Sequence, residues 1–410
     1  MPREPLPQNY IKASGSLFED FETIGDWFIG GSGGRTALAN TNQYLTGSQS
    51  IKLTVTGSMS ITKSISAYLN NSKTFRLAIY QHSAFPTVNK IWLLFSTQTA
   101  RPIATGGGDK YLRAELRPQN MAQGHWSYWV MDRDTDFISN AGETWASEMK
   151  TVMVTIVAQT GEISLSFDDL RIGMEYSPRL MIAFDDNRST AYDIAYPYMH
   201  DRGLRGTVFA IKNTTGLSNY MTLANLQALY ADGWAIANHT VSHAGNGLID
   251  YDLAGQTAEL SGCTDWLIAN GMPRAAHHVA YPLGVYNADT MTALANLGML
   301  TGRISTTYHQ YTPVNNPYLL IGRTIASTDS LSTIKGVVDA AFNKGVSYQL
   351  IFHKFLTVTD GTTTWWTPAN FQALIDYILA RKIPCVTIDE WYKGLTNPRY
   401  RSLPLVRAVV

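Results

Sequence analysis

From about Ser14 to Met174, apolar and polar residues alternate in short runs broken by Gly, Asn and Ser, as in Ser50 to Thr56, Thr74 to Tyr80 and Lys90 to Ser96. A two-residue period aims successive side chains at opposite faces of a sheet. Many such runs, with hardly a helical stripe among them, predict an antiparallel, jelly-roll-like β-sandwich. Its last strands are predicted at Met149 to Val157 and Glu162 to Phe167. After Ser177 and Pro178 the texture changes to apolar runs followed by helix-period segments, the pattern of βα units around a parallel sheet. Strands are expected at Leu180 to Phe184, Gly206 to Ile211, Trp234 to Asn238, His277 to Tyr281, Leu300 to Ile304, Leu319 to Ile325, Tyr348 to His353 and Cys385 to Ile388. Helices are expected over Leu223 to Ala231, Leu253 to Asn270 and Pro368 to Arg381. Seven or eight such units predict a distorted (β/α) barrel. The chain is thus read as multidomain: a sandwich over 14–176, a barrel over 177–395 and a tail over 396–410.

Its 410 residues suffice for two full cores, since single cores stop growing near roughly 250 to 300 residues. Lys plus Arg equals Asp plus Glu at 32 each, so no basic face for nucleic acid and no acidic tail is expected. Lysine is scarce while Tyr, Trp, Asn, Thr and Ser are plentiful, which suits contact with sugars. Cys263 and Cys385 fit no metal spacing and read as buried small hydrophobes. No stretch approaches the roughly 20 apolar residues of a membrane span. Met1 to Gln8 lacks the apolar core of a signal peptide, so an extracellular, cell-surface or virion-associated place would be reached by another route. A homo-oligomer or a surface assembly is the candidate quaternary state.

The candidate chemistry lies where apolar strands stop. Asp185 and Asp186 follow Met-Ile-Ala-Phe, and two acids at a strand end can turn toward one site with different tasks. His239 and His243 follow Trp-Ala-Ile-Ala-Asn, and neutral imidazoles four residues apart can converge on one ion. With one carboxylate they make an open, three-ligand site that lowers the pKa of a water to about 7. His353, ending Tyr-Gln-Leu-Ile-Phe, is a candidate general acid because an unperturbed imidazole titrates near 6.5.

Together these segments resemble the polysaccharide deacetylases, the group that contains chitin, peptidoglycan and poly-N-acetylglucosamine deacetylases. The resemblance covers about Arg179 to Tyr392. It implies Asp185 as catalytic base, Asp186, His239 and His243 as ligands of one divalent ion, most simply zinc, and His353 as catalytic acid. Tyr281, Pro282, Leu283 and Gly284 correspond to the substrate-groove motif, with the Leu283 N–H as oxyanion donor. Many members carry an arginine two residues before the groove proline, a place held here by Ala280, so Arg323 is the candidate to orient Asp185. Asn187 replaces the glycine common after the paired acids.

The implied reaction is removal of N-acetyl groups from a polysaccharide, yielding acetate and a free amine. The alternatives are an O-acetyl polysaccharide esterase and a non-catalytic glycan-binding or structural protein such as a viral tail component. Phe18 to Glu22, Gly47 to Lys52 and Phe167 to Leu170 resemble jelly-roll carbohydrate-binding modules, in which acids of the first and last strands could hold a structural calcium. Trp126, Tyr128 and Trp129 read equally as core or glycan platform. Trp365 and Trp366 read as a sugar-stacking platform or a helix anchor. Asp389 reads as a site charge or a helix cap.

Overall fold

The computed structural model describes residues 16–82, 90–99, 109–116, 126–134, 136–158, 161–173, 178–305, 317–343 and 347–396. The chain divides into two compact units, with the change between Tyr176 and Ser177.

The N-terminal unit contains two six-stranded antiparallel sheets. One runs β3 (Arg35–Asn40), β4 (Ser50–Val55), β12 (Ile163–Ile172), β6 (Thr74–Gln81) and β9 (Trp126–Asp132), with β1 (Ser16–Glu19) also paired to β12. The other runs β10 (Phe137–Asn140), β8 (Tyr111–Leu116), β7 (Lys90–Ser96), β11 (Met149–Val157), β5 (Ser58–Ala67) and β2 (Phe28–Ser32). The two-residue period explains the core: Ile51, Leu53 and Val55 from one sheet and Val152, Val154 and Ile156 from the other are fully buried in one cluster. Each such side chain contributes about 1.5–3 kcal/mol. Trp129 belongs to this core, whereas Trp126 lies outside the cluster, edge-on to Tyr80 at 5.5 Å.

The first and last strands of this unit do meet, at Glu19 and Leu170. The nearby acids already have partners. Glu22 accepts from the Ser48 and Gln49 N–H groups, Asp168 accepts from the Leu45 and Thr46 N–H groups, and Asp169 pairs with Arg76 and Arg171. Burial, with the Glu22 charge, pushes Asp168 up to about 6 against its hydrogen bonds. Among the described residues, the one group of three His, Cys, Asp or Glu side chains close enough to share a metal ion lies in the C-terminal unit.

The C-terminal unit is a closed parallel barrel of β13 (Leu180–Asp185), β14 (Thr207–Ala210), β15 (Ala235–Asn238), β16 (Ala275–Ala280), β17 (Thr301–Ser305), β18 (Leu320–Thr324) and β19 (Tyr348–Phe352). Strands covered on both faces must be apolar throughout, and all six residues of β13 are buried. Between the strands lie α1 (Tyr196–His200), α2 (Leu223–Ala231), α3 (Leu253–Ala269), α4 (Ala288–Asn296) and α5 (Leu331–Asn343), followed after β19 by α6 (Pro368–Ala380) and α7 (Ile388–Thr396). Among the described residues none is long and apolar enough to cross a membrane. An eighth strand at Cys385 to Ile388 does not form. Cys385 makes an isolated bridge to Leu180, and Thr387 and Glu390 exchange hydrogen bonds that start α7. That reciprocal pair is a helix-capping box.

Candidate active site

Asp185 closes β13, and the chain then turns through Asp186 (φ 65°) and Asn187 (φ 40°). Asn187 can stand where glycine is common because asparagine tolerates the left-handed region. Its fully buried side chain also repays the turn: Oδ1 accepts from the Ile211 N–H at 3.0 Å and Thr214 Oγ1 at 3.2 Å. The turn aims Asp186 Oδ1 at His239 Nε2 (3.5 Å) and His243 Nε2 (3.7 Å). His239 donates Nδ1–H to the Ala280 carbonyl at 2.8 Å, which fixes the tautomer and leaves Nε2 for a ligand. Thr240 (φ 69°) and His243 (φ 53°) bend the segment so that both rings face one point, with centroids 4.9 Å apart.

The ligand atoms of Asp186, His239 and His243 all lie within 4.8 Å of one another. One carboxylate and two imidazoles, one of them oriented by a backbone carbonyl, fit a borderline cation such as zinc. Burial works to raise the Asp186 carboxyl, but the hydrogen bond and charge of His239, with His353 and His243, outweigh it and hold it well below the usual range. Burial works to lower His239, but Asp186 and Asp185 draw it up. Burial and the His239 charge lower His243.

Asp185 is buried, and its partner is Arg303, not Arg323. Arg303 Nη2 donates to Asp185 Oδ2 at 2.5 Å, both side chains being nearly inaccessible. Arg303 pairs in register with Ala280, so the guanidinium expected two residues before Pro282 comes instead from its cross-strand partner on β17. Arg323 fails for a geometric reason. A Cβ on Gly322 would point at Arg303 Cδ, so the next residue on β18 points to the opposite face, where Arg323 meets Asp329 at 2.6 Å. An arginine inside the apolar run Leu300 to Ile304 was the available signal, because arginine is almost never buried unpaired.

His353 follows β19. Its Nδ1 is buried without a partner, and burial lowers its pKa although Asp185 and Asp186 both act to raise it. Of the groove residues, Tyr281 is a core side chain, 1% exposed, donating to the Tyr318 carbonyl, so it is not groove surface. Pro282 is buried too, and Gly284 (φ 71°) closes the turn. Leu283 is 61% exposed with φ 58°. Trp366 is a helix anchor, buried against Phe352, while Trp365 is half-buried and donates to the Thr362 carbonyl. Asp389 pairs with Lys393 on α7 at 2.9 Å.

Residues 173–302 match the family described as polysaccharide deacetylase, a span that contains Asp185, Asp186, both histidines and the groove turn. Over this span the barrel is similar to polysaccharide deacetylase domains. YxkH of Bacillus subtilis (strain 168) is 27% identical to this chain over 124 residues, covering 30% of this chain and 43% of YxkH. Among solved structures, a family 4 carbohydrate esterase from Streptomyces lividans is 19% identical and covers 52% of this chain and 92% of its own, with a TM-score of 0.37. A family 11 carbohydrate-binding module from Clostridium thermocellum is 10% identical, covering 40% and 95%, with a TM-score of 0.30. The aligned segment thus spans less than half the length of YxkH, and within the barrel Arg303 and His353 lie beyond the family match.

Proposed function

We propose that the barrel hydrolyses acetyl groups, N-linked in the first instance, from a polysaccharide, using a divalent ion held by Asp186, His239 and His243. The observation that carries this reading is the convergence of those three ligand atoms beside an aspartate already engaged by Arg303. A bound divalent ion supplies Lewis acidity, lowering the pKa of water and polarising a carbonyl. The rest falls to the protein. Arg303 occupies Asp185 Oδ2, and Oδ1, buried with no hydrogen-bond partner among the described residues, is left to take the proton of the attacking water. The backbone N–H of Leu283 is the proposed donor to the developing oxyanion, a role in which its exposed side chain is not needed. His353 protonates the departing nitrogen. Burial lowers its pKa, while the two aspartates favour the protonated form that acts as the acid.

The test is acetate release from N-acetylated and O-acetylated oligosaccharides by chelator-treated protein, with and without added zinc. His239→Ala and His243→Ala should each lose stoichiometric metal by elemental analysis while circular dichroism is retained. Asp185→Asn should keep metal and lose acetate release by about 10²-fold or more. Retained metal in both histidine variants would remove the ligand assignment. Release from O-acetyl substrates alone would move the reading to an esterase.

A further inference from the structure

Arg188 stands two residues after the metal-ligand aspartate and is absent from the catalytic roles above. It forms an isolated antiparallel bridge with Tyr220, and its guanidinium lies over the Tyr220 ring at 4.3 Å. Stacking of this kind fixes a guanidinium in place before any ligand arrives. Its Nη2 is 3.6 Å from Asp186 Oδ2, an ion pair too long for a hydrogen bond, and its Nε is buried with no acceptor. The side chain keeps 26% of its surface open. Arg303 and Arg323, by contrast, are spent on Asp185 and Asp329 at 2.5 and 2.6 Å.

Charge balance gives this half-engaged cation a task. Asp185 and Asp186 offset Arg303 and Arg188. A divalent ion on Asp186 and two neutral imidazoles then adds two positive charges that none of these groups cancels. A partly buried charge surplus is costly unless a counter-charge arrives. The exposed member of the set, already stacked and only loosely paired, is Arg188.

We propose that Arg188 is an anion-binding residue at the edge of this site, and that the polysaccharide it serves is acidic, with a carboxylate on or beside the acetylated sugar. This rests on the acetyl-hydrolase reading for its catalytic context, but its test has a readout of its own. The full-length, zinc-loaded protein is titrated calorimetrically with a hyaluronan tetrasaccharide, in which N-acetylglucosamine alternates with glucuronate, and with its carboxyl methyl ester. Acetate release from both is measured in parallel.

The acid should bind about 10- to 100-fold tighter than the ester, the range for one hydrogen-bonded charge pair, and added salt should shrink the ratio. Arg188→Gln should bring the ratio near one, and Arg188→Lys should restore part of it. Equal binding of acid and ester by the unaltered protein, including no binding of either at millimolar concentration, overturns the proposal. So does a ratio that survives Arg188→Gln while metal content falls, since that marks a residue that only positions Asp186. Preference for the acid without acetate release from any substrate leaves the anion site standing and removes the acetyl-hydrolase reading instead.

Discussion

Arg303 and Arg323 are two arginines on neighbouring strands with opposite consequences. Removing one partner of a buried ion pair strands the other charge and costs about 3–5 kcal/mol. Arg303→Met should therefore lower the unfolding free energy by that order in urea titration and abolish acetate release, because Asp185 loses the only hydrogen-bond donor it has among the described residues. Arg323→Met removes a largely buried pair with Asp329 on the other face of β18, where Asp329 Oδ2 keeps the Ala326 N–H. It should cost less than Arg303→Met in the same titration, with acetate release within a few-fold of the unaltered protein. Equal losses in the two variants would place Arg323 back in the site.

Five non-glycine residues with positive φ, Asp186, Asn187, Thr240, His243 and Leu283, sit in the turns after β13, β15 and β16. Strain of this sort persists where the surroundings over-determine it, and it gathers at functional sites. The strands themselves are well packed. On β18, Gly322 leaves the room that Arg303 fills, since an added Cβ would come within 2.6 Å of Ile351 Cδ1 and 3.0 Å of Arg303 Cδ. Gly322→Ala should thus reduce acetate release by displacing Arg303 while metal content stays stoichiometric, and lost metal binding there would contradict the geometry. At this scale the sequence was legible wherever one periodic pattern ruled. The seven barrel strands are apolar runs that end in Asp185, Asn238, Ala280 and their equivalents, and the observed elements lie within a few residues of those expected. The eighth strand was misread because Cys385 to Ile388 is equally apolar, while Thr387 and Glu390, three residues apart, carried the competing helix signal. The candidate ligands His239 and His243 were legible as a pair because they lie four residues apart, and Asp186 because it stands where an apolar run stops. Arg303 was not, because only strand register puts it beside Ala280.

Each unit buries its own core, one cluster running from Phe21 to Leu170 and another from Leu180 to Ile383. Within the second unit, His278 on β16 ties protonation to folding. It is fully buried, shares a 2.8 Å hydrogen bond with Thr301 Oγ1, and leaves Nε2 without a partner. Burial, with the charges of His277 and Lys393, pushes it down to about 3. The unfolded chain therefore takes up a proton near 6.5 that the folded chain refuses, so stability is full above that pH and falls as pH drops toward 3. At pH 5 the loss is roughly 2 kcal/mol. Urea titrations at pH 7.5 and 5 should show this loss in the unaltered protein and a loss smaller by about that amount in His278→Asn; identical pH dependence would rule the residue out. A wider consequence follows from the pairing of Ala280 with Arg303. The two positions are the two ends of one rung of a parallel ladder, so a lineage can pass the guanidinium from one strand to the next while Asp185 keeps its counter-ion. A string search that demands arginine before the groove proline would discard such chains as degenerate, although the charge has only changed its address.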